Sequence, residues 1–245
     1  MALAESLGKP IVNHPRLVMD SSRDAVARRL SGTALCRVPR TLRFTASVLR
    51  DVASNHALDG LSTPLLVRRA GTHGGDVFEK FDDPAAIAAF VAQNPGSDFY
   101  VTEYVDYRSA DGHFRKYRFI CIDGQLLPYH LAIHDHWMVH HFRTDMANQP
   151  WMRQEEEAFL ADALEVFDAA RLAAILQMAQ ASGLDYCGLD VGLDAEGRVV
   201  LFETNAAMLV HDEKSETFAY KNRCIARIKR AFDAMLARKA GSVVH

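Results

Sequence analysis

No stretch of the chain approaches the roughly 18 consecutive apolar residues of a membrane-spanning helix, and the first residues lack the profile of a secretory leader. The expectation is a soluble, cytoplasmic protein with no membrane partner. Cysteine is sparse and scattered: Cys36, Cys121, Cys187 and Cys224 form no C-x-x-C pair, which speaks against a disulfide framework and for buried free thiols. Neither sign of charge dominates. The 28 Lys and Arg against 31 Asp and Glu leave a net charge of −3, so a nucleic-acid partner gains no support. There is no internal repeat and no low-complexity tract. What is present is a globular composition, 49% hydrophobic and 24% charged over 245 residues, enough for one large domain or two small lobes.

After a lead-in ending at Asn13-His14-Pro15, Ser21-Ser22-Arg23-Asp24 opens a short helix with a capping-box pattern, closed by Gly32. A second helix is expected over Thr45 to His56. A strand from Pro64 to Arg69 runs into Gly71-Thr72-His73-Gly74-Gly75 and a second strand at Asp76–Glu79, which makes a hairpin and not a Walker loop. Asp83-Pro84 starts a helix that Asn94-Pro95-Gly96 stops, and a buried strand follows over Phe99 to Val105. Tyr117–Ile122 and Gln125–Ile133 flank Asp123-Gly124, a type I′ hairpin signal, with Trp137–Phe142 continuing the meander. A single helix is expected from Glu155 to Ser182. Gly188–Gly192 and Arg198–Glu203 then pair around Asp194-Ala195-Glu196-Gly197, and a last helix carries Ile225, Ile228, Phe232, Met235 and Leu236 on one stripe. This is an α+β pattern of two lobes, without the regular alternation of a Rossmann fold.

Four constellations carry chemistry. Pairing around the second hairpin can bring Asp190 beside Glu203, and Glu203 and Asn205 share a strand face by parity. Three hard oxygen donors at one strand end suit Mg²⁺; the alternative is a set of solvated strand-end side chains. A carboxylate following the apolar run Val199–Phe202 favours the functional reading. Next, Arg68 leads into a glycine-rich turn whose N–H groups can cradle phosphate, although such turns are often only tight hairpins. Alternation lets only one of Arg68 and Arg69 face a ligand. The strand ending Glu103-Tyr104-Val105 can present its backbone to a flat base, or serve only as core. Finally Arg115, Lys116 and Arg118, with Arg143 beyond, form either a phosphate-flanking set or a solvated basic patch; Lys116 and Arg118 share a face. Five histidines (His130, His134, His136, His140, His141) have no metal-binding spacing and read better as cleft lining.

Taken together and in this order, the segments resemble the ATP-grasp superfamily, most of all the ligases that add glutamate to protein tails, and ATP-grasp regions found beside tetratricopeptide repeats. The resemblance runs from Asn13 to Asn205 and implies two α+β lobes with ATP between them. It implies residues 1–48 as a lead-in with helices, 49–105 as the small lobe and 106–245 as the large lobe. Arg68 and the loop Gly71, Thr72, His73, Gly74 and Gly75 would cover the phosphates, Glu103, Tyr104 and Val105 would hold adenine, and Asp190, Glu203 and Asn205 would hold Mg²⁺. Arg118 and Arg143 would serve a carboxylate–amine ligation that passes through an acyl phosphate, with small-molecule or peptide carboxylate and amine substrates. The chain departs from the family where Arg68 replaces the usual Lys, where Ala25 replaces a Lys, and where Ala206-Ala207-Met208 follows Asn205 without a Pro. The family's N-terminal α/β domain is here absent or reduced to about a dozen residues, which leaves room for a second copy or a separate partner protein. Two rival readings are a non-catalytic nucleotide-binding module and an ATP-grasp kinase.

Overall fold

A computed structural model describes residues 6, 8–72, 76–96, 98–140 and 143–241. Its nine strands among these residues form two sheets. The smaller is antiparallel in the order β2 (Thr41–Thr45), β5 (Asp98–Glu103), β3 (Leu65–Arg69), β4 (Phe78–Phe81). The larger has the order β1 (Cys36–Arg37), β9 (Val199–Asn205), β8 (Tyr186–Leu193), β6 (Phe114–Ile122), β7 (Gln125–His134), antiparallel except for β1 against β9.

Each sheet buries one face under helices. In the small lobe Leu65 and Val67 of β3 and Phe99 and Val101 of β5 meet Leu49 of α3 (Ala46–Arg50), Val52 of α4 (Val52–Asn55), and Ile87 and Val91 of α5 (Ala86–Gln93). In the large lobe Tyr117 and Phe119 of β6 and Leu189 and Val191 of β8 pack on α6 (Pro150–Ala161) and α7 (Ala169–Ala181). At its far end, Ile120 and Ile122 on the opposite face of β6 meet Ile228 and Met235 of the amphipathic helix α8 (Asn222–Gly241). Period-two alternation therefore turns the polar residues of both sheets towards one another.

The α+β, two-sheet architecture agrees with the sequence reading, and several elements differ in detail. The smaller sheet begins at Thr41, where the alternating Thr-Leu-Arg-Phe-Thr forms β2. The helix expected over Thr45–His56 is two short ones, divided at Asp51, and α1 (Pro15–Met19) precedes α2 (Arg23–Leu30). Ser22 precedes α2 without a side-chain capping bond. The long helix expected over 155–182 is interrupted, since Asp162 and Asp168 cap new helical turns by accepting from Leu164 N–H and Arg171 N–H. Residues 137 and 138 are bends and 139 and 140 are irregular, not a strand; 141 and 142 lie outside the described residues. The strand placed at Asp76–Glu79 is shifted to β4. The Asp123-Gly124 hairpin is as expected, with φ of 48° and 78°. All four cysteines are free. Among the described residues no helix is long and apolar enough to cross a membrane.

Phe159 of α6 is fully buried, with ring centroids 5.0 Å from Tyr117 and 5.3 Å from Phe119. Phe159→Ala should cost about 3–5 kcal/mol through lost transfer energy and an unfilled cavity, read as a lower urea midpoint at unchanged m-value.

Candidate nucleotide site

Three adjacent strands of the large sheet place a row of charge in register. Arg118 on β6 lies opposite Asp190 on β8, and Asp190 lies opposite Glu203 on β9. Arg118 grips the carboxylate with two bonds, Nε to Oδ1 at 2.6 Å and Nη2 to Oδ2 at 2.8 Å, and Lys116 Nζ stands 3.3 Å from Oδ2. Asp190 is buried, which alone would raise its pKa, but Lys116 and Arg118 outweigh burial and hold it far below the usual carboxylate range. Glu203 is held by Arg23, the first residue of α2, at 2.9 Å. Arg23 also donates to the Phe202 carbonyl at 2.9 Å. Asn205 Oδ1 accepts from the Ala207 N–H at 2.8 Å.

Small residues flank Asp190 because the face of β8 is crowded. A Cβ on Gly188 would stand 2.7 Å from Met208 Cβ, and one on Gly192 would stand 2.9 Å from Phe202 Cζ. A cavity of about 160 Å³ lies between the sheets, lined by Thr41, Leu66, Arg68 and Thr102 on one side and Lys116, Asp190 and Glu203 on the other. A larger one of about 690 Å³ adjoins it, sharing Arg68, Lys116, Asp190 and Glu203 and reaching Arg118, Asn205, His130 and Lys221.

Alternation selects Arg68 over Arg69. Arg68 lines the cavity and donates to Thr72 O at 2.9 Å, while Arg69 bonds Pro95 O on the other face. Among the described residues Arg68 has no carboxylate within ion-pair distance. Burial and the nearby Arg23 charge pull its pKa down to about 10, so it remains a cation at neutral pH. Gly71 and Thr72 border a shallower recess with Arg23, Arg68, Glu203 and Asn205. His73, Gly74 and Gly75 lie outside the described residues.

At the far end of the cavity the chain leaves β5. Glu103 N–H donates to Arg40 O at 3.0 Å and Tyr104 N–H to Pro64 O at 2.9 Å. The Glu103 carboxylate accepts from Ser62 N–H at 2.8 Å, and Glu103 is part of the cavity lining. Val105 is buried and lines the cavity, and among the described residues its N–H has no backbone partner. A buried N–H of this kind is rare and suits an outside acceptor.

Arg143 is not brought to the row. It is exposed on the turn beyond His140, with its guanidinium 3.5 Å from Met138 Sδ, and it lines neither cavity. Besides Arg118, the cations in the row are Lys116 and Arg23. Neither was assigned a ligand from sequence, and only the Lys116–Arg118 parity hinted at one of them.

The histidines separate. His134 Nε2–H donates to Arg143 O at 2.8 Å, His140 lines the larger cavity, and His141 lies outside the described residues. Among the described residues no three His, Cys, Asp or Glu side chains cluster to hold a metal; the Asp190 set consists of two carboxylates and an amide. Its hard oxygens, two of them opposed across a strand pair, fit a magnesium-type ion, provided Arg23, Lys116 and Arg118 yield. His130 is buried against Glu156, whose Oε1 also accepts from Leu131 N–H at 3.1 Å and whose Oε2 accepts from Tyr220 at 2.6 Å. Lys221 Nζ lies 3.4 Å from Glu156 Oε1. Burial pushes the His130 pKa down, against the upward pull of Glu156.

No family model matches the chain, and no curated protein matches it in sequence. Solved structures do. The VanG D-Ala:D-Ser ligase from Enterococcus faecalis aligns at TM-score 0.59 and 14% identity over 97% of this chain and 67% of that one. The ATP-grasp ligase PsnB complexed with precursor peptide PsnA2 and AMPPNP aligns at 0.54 and 14% over 96% and 63%. PsnB with minimal precursor, Mg and ADP aligns at 0.53 and 17% over 96% and 64%. The chain thus spans about two thirds of the length of the structures it matches.

Glu156 provides a test of the region beside the cavity. Burial raises its pKa, but the His130 and Lys221 partners outweigh that and bring it to about 2. A depressed folded pKa contributes stability above the unfolded value of about 4.3, lost as pH falls towards about 2. Glu156→Gln should lose about 3–5 kcal/mol at pH 7, because Lys221 is left buried without its anion, and the gap to wild type should narrow between pH 5 and pH 2 in urea titrations. With its two opposed sheets and the cavity between them, the chain has the ATP-grasp fold.

Proposed function

We propose that the chain is an ATP- and Mg²⁺-dependent carboxylate–amine ligase. One observation supports this above the others: Asp190 and Glu203 stand side by side on one sheet while Arg68, a cation without a carboxylate partner among the described residues, faces the same cavity from the other. A ligand that is anionic and brings a metal would satisfy both walls. The ATP-grasp ligase PsnB, with the same fold, was solved with AMPPNP and with Mg and ADP.

In this reading adenine lies against the Glu103–Val105 backbone, where Val105 N–H offers a donor and Tyr104 contributes wall. Arg68 and the Gly71–Gly75 loop, with Thr72 and His73, cover the phosphates. Asp190, Glu203 and Asn205 hold Mg²⁺, which when bound neutralises triphosphate charge. Arg118, set beside Asp190 by strand register, orients the substrate carboxylate and counters charge as its oxygen attacks the γ-phosphorus and ADP leaves. The amine nitrogen then attacks the acyl carbon, the bond to phosphate breaks, and the displaced proton ends on phosphate. Positioning and charge neutralisation carry the rate, with no general base required of the chain. The VanG and PsnB ligases act on D-amino acids and a precursor peptide by their names, so a small amino acid or peptide carboxylate is the substrate class to try first.

Arg68→Ala and Glu203→Ala should each lower ADP release by two or more orders of magnitude, since a preorganised charge of this kind is worth about 3–4 kcal/mol. The assay is coupled ADP detection over a panel of carboxylates and amines, with mass spectrometry for the amide. A phosphorylated hydroxyl in place of an amide would make the chain a kinase. In a thermal-shift titration, Mg-ATP at a hundredfold excess over its dissociation constant should stabilise the fold by about 2.7 kcal/mol. Stabilisation without ADP release on any substrate pair would leave a nucleotide-binding module.

A further inference from the structure

The carboxylates that would take the metal are already occupied. Asp190 is bound by Arg118 and Lys116, and Glu203 by Arg23, whose fork also fastens the Phe202 carbonyl. With Asp190 and Glu203, the cations Arg23, Arg68 and Lys116 line both cavities, and Arg118 lines the larger one. Farther along the lining Lys221 pairs with Glu156 and Asp212 with Lys229, while Glu103 and Glu213 accept from the Ser62 and Ser215 N–H groups. Immediately around Asp190 and Glu203 cations outnumber carboxylates. A divalent cation entering alone would have to compete with them in a partly buried space, where like charges are poorly screened. A triphosphate brings the opposite charge and offers those cations new partners.

Resting on the nucleotide site proposed above, we propose that Arg23 is a built-in stand-in for the divalent cation. It holds Glu203 where the metal would bind and passes to the phosphates when nucleotide arrives, so metal and nucleotide bind cooperatively. The geometry gives Arg23 a short path. Its side chain lines both cavities and the recess formed with Gly71 and Thr72, and it lies near enough to Arg68 to depress that group's pKa. Glu203 is the carboxylate free to exchange partners. Its side chain is 23% exposed and bound by one guanidinium, whereas that of Asp190 is 3% exposed and bound by two cations. Arg23 is thus a positioning residue for the metal ligand, and its charge matters more than its shape.

The test is Mn²⁺ binding to the full chain by electron paramagnetic resonance, with and without AMP-PNP, corrected for the binary Mn–AMP-PNP complex. In the wild type AMP-PNP should tighten Mn²⁺ binding by about tenfold or more, and Mn²⁺ should tighten AMP-PNP by the same factor. Arg23→Gln should bind Mn²⁺ alone about tenfold more tightly and show a smaller coupling factor, while Arg23→Lys, which keeps the charge, should stay close to wild type. Circular dichroism confirms that the variants fold; should Arg23→Gln not fold, the wild-type coupling and Arg23→Lys decide. Equal Mn²⁺ affinity with and without nucleotide, or an Arg23→Gln variant with wild-type affinities, overturns the stand-in role while leaving the metal site intact. No Mn²⁺ bound under any condition removes the metal assignment itself, and the inference with it.

Discussion

The Asp190 carboxylate is the constraint on which the site depends. A buried, ionised side chain persists only if opposite charge and hydrogen bonds replace the water it has lost. Here the bidentate Arg118 and the nearby Lys116 do so, and both come from the neighbouring strand on the same sheet face. Once the carboxylate is fixed, the rest of the row has little freedom. Glu203 is set directly across β8–β9, and Arg23 reaches it from α2 while holding the Phe202 carbonyl. The row adds a line of side-chain ion pairs to the backbone ladders of three strands and ties a helix to them.

Two bulges make that row achievable. In β8–β9 the register shifts between Asp190 and Val191, so that Asp190 meets Glu203 while Val191 meets Leu201 and Phe202 is left as the extra residue. In β6–β7 a shift between Arg118 and Phe119 leaves Tyr129 extra and sets His130 opposite Arg118. An unshifted hairpin would oppose Asp190 to Phe202 and turn the Glu203 carboxylate to the helical core, because a one-residue slip exchanges the two faces of a strand. Bulges commonly re-aim side chains beside functional sites, and both here fall on the charged row.

This is also where legibility in the sequence stops. The two hairpin turns, the placing of Glu203 and Asn205 on one face, and the alternation of Arg68 with Arg69 follow from local chemistry and period two. The β8–β9 bulge leaves no local mark, since Phe202 looks like an ordinary strand residue; at the other, only Pro128 beside Tyr129 departs from strand chemistry. β1 is two residues long and depends on pairing with β9 far along the chain, and β2 depends on β5. The interruption between α6 and α7 hides in Asp162 and Asp168, whose capping bonds compete with an otherwise helical composition. Arg143 was placed by sequence order alone, and a turn beyond β7 carries it to the surface.

Arg23 escaped notice for a related reason. At the first position of an amphipathic helix a charged residue ordinarily faces water, and only the docking of α2 against β9 turns this one inward. That docking also answers the missing cation at position 25. Ala25 cannot contribute charge, but the guanidinium of Arg23 fills the space beside Glu203 from two residues earlier. The two carboxylates then differ in kind. Asp190 is locked by three polar contacts in a buried place and serves as the fixed wall, whereas Glu203 is partly exposed and singly held. A site built this way has one rigid donor and one exchangeable donor, so the arrival of charge from outside is felt first along the line from Arg23 to Glu203.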